Sequence, residues 1–279
     1  YQAGQTLLFA VLSLFTVIAL EMNWVGHLTA MVVAGVGFGL ISIFFLYKRG
    51  YLKLRLRKLY VKDFLMFGVP MVPHQLGGWL RTQGDKLLIV SFIGGAATGT
   101  FSVGQQLALV MLILTTSINK ALYPSLFQIL SSQPDMAQKR EVVKKSYKIA
   151  LGITLVGALG FILTPFFYPY LLGERFQSAL SITQLIIVAM VFEAFYYIVV
   201  NYIFYSKQTR ILAKITLSMA MVHILLSIIL ITVFGFDYHA IAYSMIFSGF
   251  IQFLLVWWFS NHVYPMPWFT FYKNTINES

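Results

Sequence analysis

The chain has 279 residues, 59% of them apolar and only 10% charged, with a formal net charge of +11 and a mean hydropathy of +0.78. A soluble domain carries roughly 25% charged and about 45–50% apolar residues, so one water-facing core cannot absorb this composition and lipid must solvate much of the surface. The absence of cysteine excludes disulfide and zinc–thiolate chemistry. The basic residues sit in loops between apolar stretches, a pattern of membrane insertion and anionic lipid rather than of nucleic-acid binding.

Eight apolar segments are predicted as membrane-spanning helices, giving an all-α, polytopic transmembrane helical bundle. They run Gln5–Met22, Trp24–Tyr47, Phe64–Ile93, Phe101–Leu126, Tyr147–Tyr168, Ala179–Tyr205, Ile215–Phe234 and Ala240–Phe259. The first is short and no basic segment precedes it, which reads as the interior of a longer protein rather than a signal peptide. Lys48, Arg49, Lys53, Arg55, Arg57, Lys58 and Lys62 follow the second span. Lys139, Arg140, Lys144, Lys145 and Lys148 follow the fourth, and Lys207, Arg210 and Lys214 the sixth. With Lys273 in the tail, these loops hold 16 of the 20 basic residues, against Arg175 alone on the opposite side. The positive-inside rule therefore expects basic loops and C-terminus in the cytoplasm. Residues 51–60 alternate apolar and basic side chains, as either a surface-lying helix or a solvated linker would. Trp24, Tyr47, Tyr168, Tyr170, Trp257, Trp258, Tyr264 and Trp268 gather near span ends, where aromatic rings anchor at the interface.

Arg81, Lys86 and Lys120 remain, inside spans. An ionisable group at the bilayer centre costs at least about 2.5–3.5 kcal/mol and usually faces a cavity or a partner. At about 100° per residue, His74, Gly78, Arg81 and Asp85 share one stripe of the third span and Lys86 lies about 120° away. Pro70 and Pro73 each remove a backbone donor, so a kinked, locally open helix lining a wet cavity is expected. The competing reading is an Arg81–Asp85 pair that neutralises itself. Lys86 and Lys120 have an alternative in snorkelling to an interface. Glu193, among aromatics in the sixth span, fits either a protonated core residue or a coupling site. His223 and His239 are expected as packing and interface residues. Counted together, intramembrane cations outnumber Asp85 and Glu193, and a low-dielectric cavity with surplus positive charge concentrates anions. Arg and Lys suit phosphate, which points to an anionic, partly amphiphilic substrate.

Phe67-Gly-Val-Pro-Met-Val-Pro-His-Gln-Leu-Gly-Gly-Trp-Leu, then Gly84-Asp-Lys-Leu-Leu-Ile, a Gly-rich turn at Gly94–Gly99, Phe101-Ser-Val-Gly and Asn119-Lys-Ala-Leu-Tyr-Pro resemble the seventh and eighth helices of bacterial polysaccharide (O-antigen) flippases. These belong to the multidrug/oligosaccharidyl-lipid/polysaccharide exporter superfamily; the other six spans match only in hydropathy and loop polarity. The resemblance implies two six-helix bundles related by a pseudo-two-fold axis along the membrane normal. In that frame residues 1–47 are the last two helices of the first bundle and 48–62 a basic cytoplasmic linker. Residues 63–260 are then the six-helix second bundle and 261–279 a cytoplasmic tail, with four helices expected upstream. It further implies alternating-access flipping of an undecaprenyl-diphosphate-linked oligosaccharide across the bacterial inner membrane. Arg81, Lys86 and Lys120 would hold the substrate, with His74, Asp85 and Glu193 as cavity or coupling groups. No cofactor is expected beyond proton or sodium coupling. Expected partners are the lipid-linked oligosaccharide, membrane lipids and other polysaccharide-assembly membrane proteins. A multidrug cation exporter is the alternative, requiring an acidic, aromatic cavity. A membrane polymerase or glycosyltransferase is a further one, for which the outer loops offer only Glu21, Glu174 and Asp237.

Overall fold

The computed structural model describes residues 2–52, 58–172 and 174–270, without the side chains of residues 2, 171, 172, 174 and 175. Residues 53–57, the centre of the alternating basic segment, lie outside the described residues. Among the described residues there are eight α-helices and no strand: α1 Gln2–Leu14, α2 Asn23–Lys48, α3 Lys58–Phe92, α4 Gly95–Ser131, α5 Met136–Leu172, α6 Leu180–Tyr205, α7 Thr209–Thr232 and α8 His239–Val263. Six of them, α2 and α4 to α8, are long and apolar enough to cross a membrane. The protein is thus an all-α, multi-pass membrane bundle. α1 is short, and α3 is punctuated by His74, Gln75, Arg81, Gln83, Asp85 and Lys86.

The chain divides into two compact units, Tyr1–Lys62 and Asp63–Ser279. In the first, α1 ends in a π-helical turn, Phe15–Ala19, and doubles back into α2. Glu21 and Asn23 adopt left-handed conformations (φ 52° and 48°) to make that turn. The Thr16 hydroxyl lies 2.9 Å from both the Leu12 and Gly26 carbonyls, joining the hairpin where α2 presents only a glycine.

The second unit is an up-and-down bundle around α6 and α8. Half of the apolar window of α8 is buried within the chain, against 11% of that of α5. Gly104 permits the contact of α4 with α6, because a Cβ there would stand 3.2 Å from the Ala179 carbonyl and 2.5 Å from Ile182. Two apolar clusters fill the bundle. One joins Ile89, Phe101, Ile153, Ile182, Ile186 and Ile241 toward the end where α6 begins. The other joins Leu130, Val143, Tyr202, Leu212, Val256 and Trp268 toward the end where α6 finishes. Asn119, Glu193, His223 and Gln252 fall between the two clusters along α4, α6, α7 and α8, forming a polar layer at mid-depth.

Several local expectations change. α4 and α5 outrun their apolar stretches, because backbone hydrogen bonding continues into the polar ends; α5 contains Pro165 and Pro169, α4 Pro124. The Gly-rich turn shrinks to Gly94 (φ 122°), with α4 starting at Gly95. Tyr168 and Trp268 are buried rather than interfacial, whereas Trp24, Tyr47, Tyr170 and Trp258 are exposed. Beyond α8, Met266 donates its N–H to Asn261 Oδ1 (2.9 Å) and Trp268 accepts from the Tyr147 hydroxyl (3.1 Å), folding this stretch onto the second cluster. α3 continues as helix through Pro70 and Pro73. The Thr209 hydroxyl, at the start of α7, meets the Phe67 carbonyl (3.4 Å) just ahead of the first proline.

Candidate functional site

α3 positions the site. It meets α7 at Gly77, where a Cβ would stand 3.1 Å from the Thr216 carbonyl oxygen. Polar bonds at intervals of about two turns and then one hold one face of it. His74 Nδ1 lies 3.0 Å from the Thr216 hydroxyl. Arg81 Nη1 reaches Gln252 Oε1 of α8 (3.1 Å) and Glu193 Oε2 of α6 (3.4 Å). Further along, Asp85 Oδ1 meets His223 Nε2 of α7 at 2.7 Å, with both side chains wholly buried.

A cavity of about 270 Å³ opens among these helices. His74, Gln75, Arg81, Glu193, Thr216 and Gln252 supply its polar wall, and Met71, Tyr196, Tyr197 and Phe204 its apolar one. Arg81 is nearly buried and its Nη2 rests against Gly249, 3.6 Å from where a Cβ would be. Both of its hydrogen bonds use Nη1. Among the described residues Nη2 and Nε meet no acceptor, so part of the fork is open to an anion. Tyr197 also lines a second, mostly apolar cleft of about 190 Å³ between α4, α5 and α6, where Asn201 donates to Asn119 Oδ1 at 2.7 Å. One aromatic ring thus separates a polar chamber from an oily one.

The shared-stripe expectation brings His74 and Arg81 into one cavity and leaves Asp85 outside it. The competing Arg81–Asp85 pairing does not form: Arg81 bonds to Glu193 and Gln252, and Asp85 to His223. His223 is accordingly no mere packing residue, and Glu193 is no lone carboxyl. Lys86 is half-buried and Lys120 exposed, and neither lines the Arg81 cavity. Lys86 is five residues beyond Arg81, well over a quarter turn away around α3. Sequence reasoning overlooked Gln252, Thr216 and the His223 pairing. The available signals were an ionisable residue within an otherwise apolar α7 and the four-residue spacing of Ser244, Ser248 and Gln252 on α8.

Fold and site together define a multi-pass helical membrane protein with an arginine-bearing polar cavity at mid-depth. Residues 2–181 match the family model described as polysaccharide biosynthesis protein, and the chain belongs to that family. It is similar to protein 1 of the Lsg locus of Haemophilus influenzae, with 26% identity over 164 residues covering 57% of this chain and 39% of that one. It is also similar to an uncharacterized membrane protein of the same organism, at 24% over 146 residues, 52% of this chain and 35% of the relative. The chain therefore spans well under half the length of these relatives. Two crystal structures of MATE, one a point mutant and one in complex with MaD5, superimpose with TM-scores of 0.68 and 0.66. They are 13% and 16% identical and cover 92% of this chain, which in turn covers 60% and 59% of theirs. The fold is that of MATE, and the expected polysaccharide family holds.

Proposed function

We propose that the protein is a transporter of the bacterial inner membrane that flips an undecaprenyl-diphosphate-linked oligosaccharide by alternating access, with basic loops and C-terminus in the cytoplasm. The observation that carries this reading is the Arg81 fork, held at mid-depth by Glu193 and Gln252 with donors to spare, in a cavity that shares Tyr197 with an apolar cleft. An amphiphile with a diphosphate head needs such a pairing of chambers, since carrying that charge through hydrocarbon unpaired is prohibitive. Lys86 and Lys120 are assigned to other stages of the same passage. The role makes and breaks no covalent bond, and proton or sodium coupling is its proposed energy source.

The test uses the full-length protein. Arg81→Ala and Lys120→Ala should each abolish surface polysaccharide while membrane insertion stays intact. Normal polysaccharide in both variants removes the cationic-site assignment. Glu193, Tyr196, Tyr197 and Phe204 in the cavity wall are what a multidrug cation exporter would use, so that reading stands second. Efflux of cationic dyes that disappears in Glu193→Gln, with polysaccharide unaffected, would establish it instead.

A further inference from the structure

A second polar cavity lies at the opposite end of the bundle from the basic loops, and the transport reading does not use it. Its volume is about 570 Å³. The walls come from α5 (Phe161), the first turns of α6 (Ser181, Gln184) and the α7–α8 connection (Phe236, Asp237, His239).

The polar groups form one ordered chain. Asp237 Oδ1 accepts the backbone N–H of His239 (2.9 Å) and contacts His239 Nδ1 (2.6 Å). A carboxylate only accepts, so Nδ1 carries a proton, and in the neutral imidazole Nε2 is an acceptor. The Ser181 hydroxyl, 2.7 Å from Nε2, donates to it in that form. In that form the donors of His239 and Ser181 are used within the trio they make with Asp237, while Gln184 keeps one amide hydrogen and Tyr243 its hydroxyl. Asp237 Oδ2 and the lone pairs of Ser181 remain, and Gln184, whose amide N–H donates to the Phe161 carbonyl (2.9 Å), keeps its own oxygen. The cavity is therefore rich in fixed acceptors, with a negative charge at its mouth. Phe236 and Tyr243, rings 5.7 Å apart and nearly perpendicular, add exposed aromatic faces.

We propose that this cavity is a carbohydrate-binding site for one or two neutral sugar residues. A sugar offers many hydroxyl donors and an apolar C–H face, which match fixed acceptors beside aromatic rings. The carboxylate repels phosphate and other anions. A single carboxylate with no second acidic neighbour does not cage a metal ion; among the described residues no group of three or more His, Cys, Asp or Glu is placed to hold one. The order Ser–His–Asp is also that of an acyl-transfer relay, but such a relay needs a buried Asp, and the Asp237 side chain is 54% exposed. The choice of sugar as ligand class gains from the transport reading, under which this end faces the compartment that receives the glycan.

The experiment titrates the full-length protein, purified in an alkyl amine oxide so that no sugar-headed detergent competes. The probes are the methyl glycosides of glucose, galactose, mannose and N-acetylglucosamine, followed by saturation-transfer NMR. Saturable binding of at least one is expected. Phe236→Ala, at a half-exposed position, should weaken it about tenfold. Asp237→Asn, which keeps an oxygen to accept the His239 N–H, should weaken it by a similar factor. No binding of any probe, or equal affinity in both variants and wild type, overturns the proposal. The outcome is separable from that for transport. Loss of polysaccharide in Arg81→Ala and Lys120→Ala without sugar binding here sinks only this site, and sugar binding with normal polysaccharide in both variants sinks only the cationic passage.

Discussion

Deleting one member of the Asp85–His223 pair should be among the most damaging single changes in the bundle. Both side chains are completely buried, the bond is 2.7 Å, and among the described residues Asp85 Oδ2 and His223 Nδ1 meet no further hydrogen-bond partner. Each group therefore relies on the other alone. Asp85→Ala strands an imidazole with both nitrogens unmet, and His223→Ala strands a carboxyl. Breaking a buried ion pair costs about 3–5 kcal/mol. A neutral hydrogen bond between membrane helices averages only about 0.6 kcal/mol, at most about 1.7. The two cases differ by roughly two decades in the unfolding constant. Replacing both partners, Asp85→Leu with His223→Phe, removes the desolvation cost together with the attraction and should lie within about 1.5 kcal/mol of wild type. The assay is reversible unfolding in mixed micelles with increasing sodium dodecyl sulfate, followed by tryptophan fluorescence. A cost below about 1 kcal/mol for Asp85→Ala, or a double variant as unstable as the two singles added, would refute the reasoning.

Two further outcomes follow from the same geometry. Gly77→Val drives a side chain into the Thr216 carbonyl, 3.1 Å from the Cβ position, and should cost about 1–3 kcal/mol while separating His74 from Thr216; a thermal midpoint equal to wild type contradicts it. The chain has no cysteine, so single substitutions report orientation cleanly. Lys139→Cys should react with an impermeant maleimide only from the cytoplasmic side and Phe236→Cys only from the outer side. Labelling of both from one side would overturn the assigned topology.

Hydropathy alone located the helices. α6 is Leu180–Tyr205 where Ala179–Tyr205 was read, and α8 is His239–Val263 where Ala240–Phe259 was read. Boundaries drifted most in α4 and α5, whose ends leave the apolar stretch while the hydrogen-bond ladder continues. Along α3 the polar residues were legible individually. Their partners were not: Asp85 is four residues from Arg81 and shares its stripe, yet it bonds to His223, which is 138 positions away. Nothing local distinguishes the two pairings, because both satisfy the same charge.

What the order of residues determined unaided was which segments must be helices in lipid, since a backbone in hydrocarbon has to satisfy its own hydrogen bonds and an uninterrupted run of apolar side chains marks where it does so. It also determined the family, and the list of ionisable groups that needed a protein partner. Tertiary structure alone decided who those partners are. Helical periodicity places His74, Arg81 and Asp85 on one face of α3, but the azimuth at which a neighbouring helix meets that face is a tertiary fact: α7 closes on it at Gly77. That azimuth sends Arg81 into a cavity and seals Asp85 against α7.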